Sequence, residues 1–390
     1  MKKTLIGLFL LVSIIAGTGY YQLSRLQEKL TAQLQQHDVH VGTVELNFFP
    51  PQIVLKQVTY EQWHAEEVAG KLNLSGLFAQ SAFPFRQIAA RQISRQNRAD
   101  SAFSLLWESE SAVVSDGKLR FEGENKLSLD FARPFYNQQK KIDLSFKKGT
   151  LTYGKDHAQL LLEQAVLNQQ NLGHIEIQTT TGAQREMLAE ITPVQCVEHC
   201  RARLRIQSAN QQSAVVFTGE NYPAESLLAI LQLPPLLGGK VDFDVQLALG
   251  DSSITDGTFY FNARNGEIIG INLIALVSQY LPLNYNEQIM QSKNANTQYE
   301  QLSSLISFHQ GGLDIEEIKL KLTALQGEGQ GKIDLNTMQC DIRLTLSSEK
   351  YSGLALPIHF FDNCASPQYQ IEFNGDFRRQ IKNLIKGKWR

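Results

Sequence analysis

The sequence predicts a mainly β chain: an antiparallel sheet with a few short helices, preceded by a transmembrane helix and closed by a basic amphipathic helix. Three observations lead there. Residues Thr4 to Ser24 form a run of 21 without a formal charge. Most of the chain beyond Ser24 alternates apolar and polar residues in short bursts, the period of a strand with one covered face. Glycine and asparagine steps separate the bursts as hairpin connections do, and no strand–helix–strand rhythm occurs.

At about 1.5 Å per residue the uncharged run makes a helix roughly 31 Å long, close to the ~30 Å hydrocarbon core of a bilayer. MKK followed by LIGLFLLVSIIA also has the basic and apolar regions of a cleaved signal peptide, but AGTGYYQL supplies a poor cleavage site. Residues 1–24 are therefore expected to be an anchor, and either reading exports the rest. Leu23, Leu26, Leu30 and Leu34 recur at helical spacing, so residues 25–36 are expected to form an amphipathic stalk.

Alternation then takes over: Val44, Leu46 and Phe48; Ile53 and Leu55; Leu72 and Leu74; Leu127, Leu129 and Phe131; Ile142, Leu144 and Phe146. Turns are expected at DGKL from Asp116, KKGTL from Lys147 and QNLGH from Gln170. Pro223 followed by AESLLAILQL reads as a helix with proline in its first turn, stopped by Pro234 and Pro235. A second helix begins after Asn272, with an apolar face of Leu273, Ile274, Leu276, Val277, Tyr280 and Leu281, and ends at Pro282. Between them Val241, Phe243, Val245, Leu247 and Leu249 face one way and Asp242, Asp244 and Gln246 the other.

Later the alternation of Leu313 and Ile315 slips before Ile318, Leu320, Leu322 and Ala324, which predicts a bulge or turn near Glu316. Gly327, Gly329 and Gly331 share one face of the next strand, open to close approach by a backbone or ligand. The spacing does not fit a Walker loop, because the required first glycine is Gln326. Cys340, Ile342, Leu344 and Leu346 share a face, and Tyr369, Ile371 and Phe373 form the last strand. The chain ends in DFRRQIKNLIKGKWR, where Arg378, Arg379, Lys382, Lys386, Lys388 and Arg390 surround an apolar stripe beside Trp389. Such a helix suits an anionic membrane surface, or packing on the last strand as a solvated terminal helix.

Net charge is -2, from 37 basic and 39 acidic residues, so a nucleic-acid partner is not expected. Cys196 with Cys200 and Cys340 with Cys364 make an even cysteine count, consistent with disulfides in an exported chain, although four cysteines allow three pairings. CVEHC without a second ligand pair is a weak zinc signature, and no metal is expected. Neither G-x-S-x-G nor H-E-x-x-H occurs, and the eight histidines are scattered. The chain is expected to be no enzyme and to need no cofactor.

Three segments resemble the AsmA family of inner-membrane-anchored envelope proteins of Gram-negative bacteria. They are the anchor with VGTVELNFFPPQIVLKQVTY; LGGKVDFDVQLALGDSSITDGTFYFNARNGEIIGINL; and LSSLISFHQGGLDIEEIKLKLTALQGEGQGKIDLNTMQCDIRLTL followed by LALPIHFFDNCASPQYQIEF. Their order behind an anchor carries the likeness, which covers under half of the chain and leaves residues from about Gly76 to Gln212 unmatched.

The resemblance implies an elongated, curved sheet forming a groove with an apolar inner face, and a role in outer-membrane biogenesis or phospholipid transport across the periplasm. Its implied partners are phospholipid, the inner membrane and an envelope protein. Val241, Phe243, Val245, Leu247, Leu320, Leu322, Ile342 and Leu344 are the residues expected to face lipid. The expected organisation is a β-rich region over 37–220, an AsmA-like region over 221–376 and the basic helix over 377–390. A non-catalytic scaffold that binds an outer-membrane assembly partner is the alternative.

Overall fold

A computed structural model describes residues 25, 28–32, 34–36, 38–48, 50–73, 83–95, 102–135, 139–154, 156–180, 185–193, 200–209, 212–230, 233–249, 254–278, 296–309, 311–323, 325–348, 351–364, 366–372, 375 and 379. The chain forms two compact units, Met1–Tyr153 and Gly154–Arg390. Twenty strands are described, and within each unit each pairs antiparallel with the next in sequence. The anchor expected over 1–24 lies outside the described residues, among which no helix is long and apolar enough to cross a membrane.

Unit 1 contains β1 (Val39–Phe48), β2 (Pro51–Tyr60), β3 (Trp63–Leu72), β4 (Phe85–Arg95), β5 (Phe103–Ser115), β6 (Lys118–Phe135) and β7 (Gln139–Tyr153). Directly paired residues share a face, so register traces each side of the sheet. One apolar row runs Leu46, Ile53, Gly70, Ile88, Trp107, Leu127 and Leu144. Residues 28–32 and 34–36 are helical, as the leucine spacing predicts. Leu30 and Leu34 pack against the buried cluster of Ile53, Leu55 and Leu72, so this amphipathic face lies on the sheet.

The turn at Asp116 is a two-residue reversal with both residues left-handed, φ 52° at Asp116 and 70° at Gly117. That is the geometry the strand twist favours, and Asp-Gly adopts it with little strain. The turn expected at Lys147 is absent: β7 runs through it. Gly149 there faces Phe121, whose ring meets Phe146 at 5.9 Å. This glycine leaves room for a ring instead of making a turn.

Unit 2 contains β8 (His157–Leu167), β9 (Gln170–Thr180), β10 (Arg185–Thr192), β11 (Arg201–Ala209), β12 (Gln212–Pro223), β13 (Leu237–Leu249) and β14 (Ile254–Ile268). It continues through β15 (Thr297–His309), β16 (Gly312–Lys321), β17 (Gln326–Asp334), β18 (Gln339–Ser348), β19 (Tyr351–Asn363) and β20 (Gln368–Ile371). The sheet passes without a break through residue 220, inside β12. The hairpin expected at Gln170 turns at Asn168 and Gln169, with φ 46° and 72°, while Gly173 sits at a register shift inside β9. At the predicted slip, Leu305 pairs with Glu317 and Ile306 with Ile315, so Glu316 is the extra residue of a bulge.

Among the described residues two short helices interrupt unit 2: α1 (Ala224–Ile230), directly after Pro223, and α2 (Leu273–Ser278). Asn272 caps α2, its side-chain oxygen accepting the Ala275 N–H at 2.8 Å. Thr297 accepts the Leu273 N–H at 2.8 Å and donates to the Ile271 carbonyl at 2.5 Å, which ties α2 to the start of β15. Leu273, Ile274, Leu276 and Val277 are all buried. Tyr280, Leu281 and Pro282 lie outside the described residues.

Candidate functional site

The feature of unit 2 with functional promise is a whole sheet face. One row of paired residues crosses all thirteen strands: Leu162, Ile175, Ile191, Ala202, Gly219, Phe243, Phe261, Ser304, Ile318, Gly329, Leu344, Ile358 and Ile371. A parallel row includes Phe217, Val245, Phe259, Ile306, Ile315, Gly331, Ile342 and Phe360. No ionisable side chain stands in either row apart from the Tyr369 phenol at the end of the second.

Ion pairs bridge neighbouring strands on the opposite face: Arg203 to Glu190 at 3.1 Å, Arg205 to Glu186 at 3.2 Å, Lys321 to Glu300 at 3.0 Å and Lys332 to Asp314 at 3.3 Å. Arg264 pairs with Asp242, which also accepts the Asn221 N–H at 2.8 Å. Solvated pairs of this kind add at most about 1 kcal/mol each. Their consequence is register, since slipping one residue would exchange this face with the apolar one.

Val241, Phe243, Val245, Leu320 and Leu344 are buried on the apolar face, at 1% to 6% exposure, while Leu247 and Ile342 are half-buried. Leu322 is 2% exposed but lies just past β16, its N–H donating to the Leu325 carbonyl at 2.8 Å. The glycine face of β17 is filled from both sides. A side-chain carbon at Gly327 would stand 3.1 Å from Leu320 and 3.3 Å from Leu344, and one at Gly331 2.9 Å from the Ile342 side chain. The space the glycines leave is taken by these neighbours.

Half-buried apolar residues occur at both ends of this face: Leu160, Ile177, Met187 and Leu204 on β8 to β11, and a second group on β14 to β18. Phe259 and Phe261 on β14, Ile306 and Phe308 on β15, Ile318 on β16 and Ile342 on β18 form one patch beside Leu247. Sequence reasoning missed the β14 and β15 members. The run Phe259, Tyr260, Phe261 hides its alternation, because Tyr260 is also aromatic yet points to the other face at 47% exposure.

Buried polar groups mark the edge of this face. The Tyr222 hydroxyl is fully buried against Phe243 without a hydrogen-bond partner, and burial raises its pKa. Tyr299 donates to the Gly238 carbonyl at 2.6 Å; burial, then the nearby Glu225 carboxylate, pushes its hydroxyl up to about 12. Among the described residues no group of three or more histidines, cysteines or acids lies close enough to hold a metal ion.

The other expected site residues fall elsewhere. Cys200 is buried at the head of β11 and Cys196 lies outside the described residues. Cys340 and Cys364 are free thiols in contact with each other. Arg379 is exposed; Arg378, Lys382, Lys386, Lys388 and Trp389 lie outside the described residues.

No family model matches the sequence, and no solved structure matches it. It is 36% identical over 397 aligned positions to an uncharacterized protein of Haemophilus influenzae, and the alignment covers 100% of both chains. The agreement runs over both units, and this chain belongs to the same family as that Haemophilus influenzae protein.

Proposed function

We propose that this chain is an AsmA-like envelope protein, anchored in the inner membrane with its bulk in the periplasm, that carries phospholipid acyl chains along the apolar face of its sheet in outer-membrane biogenesis. The observation behind this is the unbroken apolar face of unit 2 set against an ion-paired outer face. A groove for acyl chains needs area rather than a reactive group: about ten sheltered CH2 units are worth roughly 8 kcal/mol. No cofactor and no catalytic residue enter this reading.

Curvature finds support in α1. Across a flat sheet β9 and β13 stand four strand spacings apart, about 19 Å. A seven-residue helix is only about 10 Å long, yet α1 packs on β12 and β13 and reaches β9. In this reading the strip from β9 to β13 curves around α1, and α1 covers its apolar side. The patch of Phe259, Phe261, Ile306 and Ile318 lies beyond that cover and is the part of the face we assign to lipid.

A photo-crosslinking residue placed at Phe261 or Ile306 of the full chain in cells should yield a phospholipid adduct by mass spectrometry, and the same residue at Tyr260 should not. Equal labelling on both faces, or none, sinks the lipid reading. The burial of Val241, Phe243 and Val245 by the protein itself favours the second reading, in which the face is closed core and the chain is a non-catalytic scaffold for an outer-membrane assembly partner. That reading predicts a protein adduct and no lipid.

A further inference from the structure

Cys340 and Cys364 sit where two bent strand ends meet. Cys340 is the second residue of β18 and pairs with Asp362. Cys364 stands two residues beyond Asp362, just past β19, and its N–H donates to the Met338 carbonyl at 2.9 Å. The backbone bond from Cys364 to Met338 folds the end of β19 back onto the start of β18 and brings the two thiols together. Met338 at φ 57° and Asp362 at φ 76° are left-handed, bending the strand ends two residues before each cysteine. The thiols stand close enough for each to shift the other's ionisation. Cys340 is 6% exposed and Cys364 half-buried, so Cys364 is the more accessible of the two.

We infer that Cys340 and Cys364 are a disulfide-forming pair whose closure locks the open end of the β18–β19 hairpin. The co-reactant is a disulfide such as glutathione disulfide. The thiolate of one cysteine attacks it and releases one glutathione; the second thiolate then displaces the other glutathione as the Cys340–Cys364 bond forms. The protein dithiol is oxidised and the glutathione disulfide is reduced to two thiols, with both cysteine protons passing to the released thiolates or to solvent.

Burial raises the pKa of both thiols, and contact with Cys340 raises that of Cys364 further. Since the thiolate is the attacking species, exchange is slow while the strand end is closed and fast when it frays or while the chain is still folding. This inference stands apart from lipid binding, because it rests on the hairpin alone.

The test uses the full chain, reduced and then refolded in glutathione disulfide, alkylated and cut with trypsin. Peptide 333–343, which holds Cys340, should be joined to peptide 351–378, which holds Cys364. The oxidised chain should melt roughly 5 °C or more above the reduced one. The Cys340→Ala/Cys364→Ala chain should melt at one temperature in both conditions, which separates this cross-link from one elsewhere. Alkylation of both thiols in a well-folded chain after refolding in oxidant would falsify the inference. Joining of either cysteine to Cys196 or Cys200 would overturn it equally.

Discussion

Trp107 in unit 1 and Val245 in unit 2 each sit mid-row on an apolar sheet face, yet Trp107 is half-buried among rings while Val245 is only 3% exposed. Unit 1 covers its face with aromatics. Phe85, Phe83, Trp107, Phe121 and Phe146 touch in sequence at 5.8 to 5.9 Å, mostly edge to face, and so bridge β4 to β7. Such ring pairs add about 0.5–1.5 kcal/mol beyond the area they bury. Unit 2 has ring pairs as well, Phe217 with Phe243 at 4.8 Å and Phe259 with Phe261 at 5.4 Å, but sets them among aliphatic side chains, the glycines of β17 and the buried residues of α1 and α2. A ring reaches across the strand spacing by itself, whereas short aliphatic chains depend on something laid over them. Both faces keep half-buried stretches, Phe259, Phe261 and Ile306 in unit 2 and Ile88, Trp107, Leu127 and Leu144 in unit 1.

The sharpest way to break this comparison is a charge. Val245→Asp places a carboxylate on a fully covered face and should cost about 4 kcal/mol or more, with the protein losing much of its urea resistance. Leu105→Asp, on the half-buried face of unit 1, should cost about half as much. Equal losses would mean that the two faces are covered alike. A chain that keeps its stability with Val245→Asp would reveal an open groove even at β13.

Phe121→Ala comes next. This ring is 7% exposed and touches both Trp107 and Phe146, so its loss should cost about 3 kcal/mol. A double-mutant cycle between Phe121 and Phe146 should return a coupling of about 1 kcal/mol. Phe259→Ala in the half-covered patch of unit 2 should cost less, about 1.5 kcal/mol.

Glycines sharpen the contrast at a smaller scale. A side-chain carbon at Gly329 would stand 2.5 Å from the Arg343 carbonyl, part of a backbone that cannot turn away. Gly329→Ala should cost about 2 kcal/mol. At Gly70 the nearest atom, also at 2.5 Å, belongs to the Phe85 ring, which can rotate. Gly70→Ala should therefore cost less than Gly329→Ala in the same thermal melts.

How much of this was legible in the sequence differs by feature. Period-two alternation exposed the strands and the two faces, because it follows directly from where successive side chains point. The Glu316 bulge was legible as well, since an extra residue shifts the phase. Turn positions were weaker: Gly149 has the look of a turn glycine but makes room opposite Phe121, and that need appears only once β6 and β7 are paired. The lipid-facing residues expected at β13 are the cleanest alternators. Clean alternation marks which face a side chain is on; how far that face is covered depends on long-range packing, which no local pattern encodes.

The smallest effect separates the two units by the origin of their electrostatics. Asp143 in unit 1 has its pKa lowered from 3.8: burial pushes it up, but the Ser128 hydrogen bond at 2.5 Å and the Lys141 and Lys126 ammonium groups together outweigh burial. Glu176 in unit 2 is lowered from 4.5 chiefly by the amides of Gln178 and Gln159, at 2.8 and 2.7 Å. In both, the folded pKa is the lower one. Their stabilisation is therefore present above the unfolded value and is lost as pH falls through the folded value, so it declines as pH drops below about 4. Asp143→Asn and Glu176→Gln should each flatten the acid limb of the stability curve there and leave its slope at pH 7 unchanged. Salt tells them apart. At 1 M the screening length falls to about 3 Å, so the part of the Asp143 shift due to the lysines, at 3.3 and 3.5 Å, should shrink. Amide donors carry no net charge, so the Glu176 shift should persist. Carboxyl titration by NMR at low and high salt reads both directly, and an equal salt response at the two sites would erase the distinction between a charge-held and an amide-held carboxylate.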